Sequence, residues 1–427
     1  MTVEEGEWRA TLLAFVFFFF VLASYFILRS IRDAVGVAAG TAKLPWLFTG
    51  TLLATLAVNP LFGTIVSRLP VRRFIPIVYR IFGVLLLGFA AALTWFSPKY
   101  DWLLSPAFWI WTSVYSLFVP SVFWGFMADT FYSDQGKRLY GFIGVGGTLG
   151  ALAGSAFTAS LATKIGTPML MLTSIVLLEL AVQVVRRFPP SFRPETRERE
   201  AAAKAVGGSP FAGITNVLKS PYLLGICVFM LLFTIGTTVL YFQQAEIVGA
   251  RYSDRESRTA FLARIDFFVQ LLTILAQIFI SGRVVKKLGV ALTLAILPAI
   301  SIVGFALLGM YSSLYLFVAF TVLRRAGNYA FANPGRELLF SVIPVEDKYK
   351  AKNFIDTFAY RGGDQVGAWS YSLLSTAVGM SASSISLLAS PMSAVWLVVA
   401  LLLGRRQTVL QKAESATPRE GLQPAAG

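Results

Sequence analysis

The sequence predicts an all-α membrane protein of twelve transmembrane helices in two six-helix pseudo-repeats. Three observations carry that reading. The 427-residue chain is 56% hydrophobic and only 14% charged, with a mean hydropathy of +0.68, a balance foreign to soluble domains. Its apolar residues fall in runs close to the ~20 residues that a helix needs to cross a bilayer. Its basic residues gather in the breaks between those runs, so the formal net charge of +15 reads as loop charge and not as a nucleic-acid-binding face.

In chain order the runs are 10–31, 45–66, 74–96, 104–127, 139–162, 167–185, 221–242, 259–281, 290–311, 313–333, 352–379 and 385–404. The first starts at Ala10 and lacks a small-residue cleavage site, which makes it a span and not a signal peptide. The longest hydrophilic break, 186–220, holds Arg186, Arg187, a Pro-Pro pair and the mixed-charge stretch Arg193 to Glu200. It divides the chain into an N-terminal bundle (1–188), a cytoplasmic linker (189–220), a C-terminal bundle (221–406) and a disordered cytoplasmic tail (407–427). Placing both termini in the cytoplasm puts most Lys and Arg residues on that side, as the positive-inside bias requires.

Composition also excludes functions. The chain has no histidine and a single cysteine, Cys227, inside a predicted span. Metal sites built on His or Cys, His-based acid–base catalysis and an intrachain disulfide are set aside on that ground. No metal site and no cofactor is expected, and no enzymatic activity.

Both halves carry a basic loop after their second span: Gly63-Thr-Ile-Val-Ser-Arg68-Leu-Pro-Val-Arg72-Arg73 and Gly282-Arg283-Val-Val-Lys286-Lys287-Leu-Gly289. Equivalent loops in two six-span halves point to parallel repeats about an axis along the membrane normal. The pair resembles the short loop motif of the major facilitator superfamily, with Ser67 where the first half usually has an acid. In the fifth span Gly146, Gly150 and Gly154 recur every four residues, a spacing that lets helix backbones approach closely. The lysine–serine/threonine ending of a phosphate loop is missing there.

Charges inside the spans are the candidate functional residues, since each costs roughly 2.5–3.5 kcal/mol at bilayer depth on insertion scales. In span one Tyr25, Arg29, Arg32 and Gly36 share a helix face. Asp33, one turn from Arg29, neutralises it in this reading and leaves Arg32 as the freer cation. In span ten Arg324 and Arg325 sit roughly 16 Å from the nearest helix end at 1.5 Å per residue, beside Asn328 and Tyr329, and read as cavity-lining. In span eleven Arg361, Asp364 and Gln365 share a face, as a ligand site or as a structural ion pair. Glu179 and Asp266 are isolated acids in sequence, either proton carriers or partners of a nearby arginine. The surplus of arginine over acid suits a phosphorylated anion, whose oxygens match the planar guanidinium fork.

Several segments resemble the non-mitochondrial ATP/ADP translocase family, a branch related to the major facilitator superfamily. They are Tyr25-Phe-Ile-Leu-Arg29-Ser-Ile-Arg32-Asp33, Phe123-Trp124-Gly125-Phe126 with Asp134-Gln-Gly-Lys137-Arg138-Leu-Tyr140, Asn328-Tyr329-Ala-Phe-Ala-Asn-Pro334-Gly-Arg336-Glu337, and Glu346-Asp347-Lys-Tyr-Lys-Ala-Lys352-Asn-Phe-Ile355-Asp356. The resemblance implies nucleotide exchange, a basic substrate residue at Arg32 and a bacterial cytoplasmic membrane. The family's fourth-helix glutamate falls on Thr112 and its eleventh-helix lysine on Asp364, with Arg361 the nearest cation; Gln243 and Gln244 are the polar candidates for its second-half acid.

The expectation is a secondary transporter of a nucleotide or related phosphorylated anion, working by alternating access. Arg32, Arg324, Arg325, Asn328, Arg361 and Gln365 bind substrate, and Arg29, Asp33, Glu179 and Asp364 serve coupling or ion pairing. Its partners are a small anionic solute and the lipid bilayer, with no nucleic acid, and it acts as a monomer. The alternative is a proton-coupled importer or exporter of another solute, with Asp364 or Glu179 carrying the proton. The short outer loops leave little chain for a receptor or scaffold.

Overall fold

The computed structural model describes residue 4 and residues 6–68, 71–95, 98–189, 217–343, 351–352 and 354–416. The described chain is helical apart from short connections. Helices α1 (Trp8–Ala39), α2 (Leu44–Arg68), α3 (Val71–Trp95), α4 (Asp101–Thr130) and α5 (Ser133–Arg186) make up the first part. The second part holds α6 (Pro221–Arg251), α7 (Arg255–Ala276), α8 (Gly282–Met310), α9 (Leu314–Gly327), α10 (Asn333–Leu339), α11 (Tyr360–Ser372) and α12 (Ala382–Ala416). Five-residue π turns join α7 to α8, join α9 to α10 and flank α11 on both sides.

Eight of these helices are long and apolar enough to cross a membrane among the described residues. The other expected spans differ for local reasons. In α2 the apolar stretch is described over Leu44–Asn59, and the side chains that continue it lie outside the described set. The tenth and eleventh runs are interrupted by π turns, which tilt the hydrogen-bond ladder where Asn328 and Asp356 sit. The fifth and sixth runs form one element, α5, broken at Gly166 in the left-handed region (φ 74°) that glycine enters without steric penalty. There the chain turns back: Gly154 lies against Ala23 and Ser174 bonds to Ser24, so residues on both sides of the break meet one level of α1. A straight helix would hold those two positions roughly 30 Å apart.

The glycine spacing of α5 acts in packing, as expected. A Cβ at Gly146, Gly150 or Gly154 would lie 2.5, 2.1 or 2.4 Å from the carbonyl oxygen of Phe15, Phe19 or Ala23. The backbones of α1 and α5 therefore touch along three successive turns. The equivalent loop glycines behave differently from expectation. Gly282 is helical, and the backbone break comes at Gly289 (φ 72°); the side chains of residues 60–73 and of Lys286 are outside the described set.

The chain divides into two compact units. Unit 1 is Met1–Ala203, Leu240–Ile274 and Ala368–Gly379; unit 2 is Lys204–Val239, Leu275–Gly367 and Met380–Gly427. They do not coincide with the expected halves 1–188 and 221–406. The reason is visible in unit 1, where Trp369 donates to Thr49 (3.3 Å) and Arg255 to Asp101 (2.9 Å), so later helices pack on the first four. Most of the expected linker, residues 190–216, lies outside the described set. The tail begins later than expected: α12 runs to Ala416, because Gln407, Leu410, Gln411 and Lys412 are good helix formers and Gln407 is buried; residues 417–427 are outside the described set.

Candidate functional site

In unit 1 the charged residues of α1 form a network with α6 and α7. Asp33, 5% exposed, is its centre. Arg32 donates to Asp33 Oδ1 through Nε (3.0 Å) and Nη2 (2.7 Å), and the Tyr241 hydroxyl donates to the same oxygen (3.2 Å). Arg29 stands 3.8 Å from the second oxygen of Asp33 and 3.6 Å from Asp266 on α7. The Arg32 guanidinium also lies over the Trp109 ring, and that of Arg29 over Phe26. Gly36 makes the geometry possible: a Cβ there would come within 2.6 Å of the Tyr241 hydroxyl and 3.0 Å of Trp109 Nε1.

This arrangement reverses one expectation. Arg32 is not the freer cation; it holds Asp33 with two short bonds, while Arg29 is drawn toward Asp266. The helical spacing favours Arg29–Asp33, but Asp266 supplies Arg29 with a second carboxylate that α1 alone does not reveal. Asp266, an isolated acid in the sequence, is almost fully buried and paired.

Glu179 is also paired, and away from this network. It accepts two hydrogen bonds from Arg80 (3.0 and 2.8 Å) and one from Gln183, with both charged side chains more than 40% exposed. This places Glu179 on an outer face between α3 and α5.

In unit 2 Arg324 is 2% exposed. Its Nε donates to Ser301 Oγ (3.1 Å), Nη1 to Thr237 Oγ1 (3.0 Å) and Nη2 to the Phe233 carbonyl (3.1 Å). Its guanidinium lies over the rings of Phe233 and Trp396. Gly236 leaves the room, since a Cβ there would stand 3.1 Å from Nη2. Thus Arg324 does not line an open cavity: uncharged groups of α6, α8 and α12 enclose it. Arg325, Asn328 and Gln365 are half-buried, with Asn328 opening the π turn after α9.

Arg361 stands 3.6 Å from Asp364, and the Thr238 hydroxyl reaches the other oxygen of Asp364 at 3.4 Å. The close approach rests on glycine. A Cβ at Gly363 would lie 1.8 Å from Thr234 Oγ1, and one at Gly367 would lie 2.9 Å from Thr238 Cβ. The two motif segments of this region also meet, through Arg336–Asp356 (3.5 Å) and Lys352–Glu337 (2.6 Å).

Thr112 is buried and donates to the Phe108 carbonyl within α4, and Gln243 and Gln244 are buried on α6. Near the start of α1, Glu7 Oε1 accepts from Gln135 (2.8 Å) and Arg138 (3.0 Å), and Arg138 also meets Glu4 (3.0 Å). Burial alone raises the carboxyl pKa of Glu7. The hydrogen bonds from the Glu4 amide and Gln135, with the Arg138 charge, outweigh it and hold Glu7 below its ordinary value. The acidic residues Glu4 and Glu7 at the start of the chain and the basic Arg138 were the available signal. Among the described residues no group of three or more His, Cys, Asp or Glu side chains gathers as a metal site.

Residues 103–407 match the TLC ATP/ADP transporter family. The chain belongs to that family. Among its relatives is ADP,ATP carrier protein 1 of Chlamydia pneumoniae, 20% identical over an alignment covering 97% of this chain and 95% of that protein. By structure the chain is similar to a D-xylose–proton symporter, with a TM-score of 0.65, 12% identity, and coverage of 94% of this chain and 97% of that one. It is likewise similar to a nucleoside transporter, with a TM-score of 0.64, 12% identity, and 94% and 99% covered. At that identity the structural likeness speaks for the fold alone, an all-helical one.

Proposed function

We propose that this family member exchanges nucleotides of the ATP/ADP type across a membrane by alternating access. The observation that carries the reading at the level of residues is the unit 1 network: two arginines of α1 held by two buried acids from α1 and α7. A phosphate group offers a guanidinium the same planar pair of acceptors as a carboxylate, with more charge. Substrate phosphates therefore compete with Asp33 and Asp266 for Arg32 and Arg29. Occupancy and the α1–α7 tie exclude one another, which makes binding and conformational change a single equilibrium.

Unit 2 has its own candidate set for phosphate and polar contacts, Arg361 with half-buried Arg325, Asn328 and Gln365. Arg324, enclosed by three protein acceptors and two aromatic rings, holds α6, α8 and α12 in register instead of touching substrate. The chain has twelve spans in two six-helix repeats, with both termini in the cytoplasm of a bacterial cell and the monomer as the working unit. Both acids named for proton carriage, Glu179 and Asp364, are engaged by arginine, which favours exchange over proton coupling.

The test is labelled ADP uptake into proteoliposomes by R29Q, R32Q and R361Q. Each variant should raise the KM for ADP while the protein still melts cooperatively. Unchanged KM in all three would remove these arginines from substrate binding.

A further inference from the structure

A separate feature of unit 2 lies apart from every charged cluster above. A groove of about 850 Å³ runs between the start of α6 and the last turns of α12, with Val342 and Ile343 at its side. Leu223, Val228, Val399, Leu402 and Leu403 give it apolar walls, Lys219 and Arg406 are its cations, and among the described residues no acidic one lines it. Both cations are exposed, and neither pairs with a carboxylate among the described residues.

Both cations lie where an apolar helical stretch ends. Lys219 comes just before Pro221, the first residue of α6, and Arg406 follows the Leu401-Leu402-Leu403 run that ends the apolar part of α12. Basic residues where apolar helices end mark the depth of lipid headgroups. Val228 lies roughly 13 Å further along α6 than Lys219 at 1.5 Å per residue, within the depth of the hydrocarbon. The groove thus has a cationic mouth at headgroup depth and an apolar body below it. Its floor is set by Gly225, where a Cβ would come 2.8 Å from Leu403. The Tyr222 hydroxyl turns away to donate to the Leu339 carbonyl (2.9 Å).

We propose that this groove holds one anionic phospholipid of the surrounding bilayer. Lys219 and Arg406 take its phosphate, and an acyl chain lies along Leu223, Val228, Val399 and Leu402. The charge selects the occupant: two cations with no carboxylate partner among the described residues favour a net-negative headgroup over a zwitterionic one. The walls select a lipid over a nucleotide, because a base and ribose would lose most of their hydrogen bonds against leucine and valine.

The test is thermal unfolding of the full chain in detergent, with phosphatidylglycerol, phosphatidylcholine of the same acyl chains, or inorganic phosphate added. Phosphatidylglycerol should raise the wild-type midpoint by several degrees, with little effect from the other two. K219Q/R406Q should lose most of that shift while its lipid-free midpoint stays near wild type, and V399W, which fills the groove, should lose it with both cations in place. If the double variant folds poorly, V399W carries the test alone. A full shift retained in the variants, equal protection by phosphatidylcholine, protection by phosphate alone, or no wild-type shift would each overturn the proposal.

Discussion

Replacing Asp266 with Asn removes one of the two carboxylates that face Arg29 and keeps the side-chain shape. At 3.6 Å and an effective dielectric of about 20, the lost attraction is about 4–5 kcal/mol. Two features reduce the net effect. Asp266 is 2% exposed, so its neutral replacement escapes a desolvation penalty, and Asp33 still stands 3.8 Å from Arg29. A net loss of about 2–3 kcal/mol follows, below the usual range for a broken buried pair. The assay is a double-mutant cycle of R29Q, D266N and the pair, read from unfolding midpoints in detergent. A coupling energy above about 1 kcal/mol is expected, since contacting residues depart from additivity on that scale. Additive single effects would refute the α1–α7 tie and the competition drawn from it.

Other expectations follow from individual contacts. G150L drives a side chain into the Phe19 carbonyl and should abolish cooperative unfolding, whereas G88A, with nothing within 4 Å of the added carbon, should melt like wild type. R324K should lose most of the planar three-way contact, at about 1.5–3 kcal/mol for each charge-assisted bond not remade, measured as a lowered midpoint. E179Q should leave ADP uptake intact, because Glu179 meets Arg80 on an exposed face; loss of uptake would return it to coupling. Glu7 has its carboxyl pKa held below the ordinary 4.5, so its contribution is complete above that pH and disappears as pH falls through the lower folded value. E7Q should therefore flatten the acid limb of a stability–pH curve and leave its neutral region shallowly lowered.

The fold was legible because bilayer thickness sets a length that apolar runs must meet, and because Gly146, Gly150 and Gly154 recur on one helical face. The turn at Gly166 was legible as a gap between two runs. The partners of charges were less so. Arg29, Arg32 and Asp33 announce a cluster through their spacing, but Asp266 and Tyr241 come from helices more than 200 residues away and decide which arginine holds Asp33. Arg324 stands out in the sequence as a charge within an apolar run; its enclosure by Ser301, Thr237 and the Phe233 carbonyl depends on three helices packing together, which no single-helix pattern encodes. The same holds for Glu179 and Arg80, brought together by the packing of α3 on α5. The compact units escaped the sequence because span order describes connectivity, whereas packing follows which helix ends meet.

The central claim is nucleotide exchange, and counterflow tests it most directly. Purified protein in vesicles loaded with ADP should accumulate labelled ATP from outside, and empty vesicles or an imposed pH gradient alone should not. Accumulation driven by the pH gradient without internal nucleotide, or none at all in vesicles shown to hold inserted protein, would contradict it.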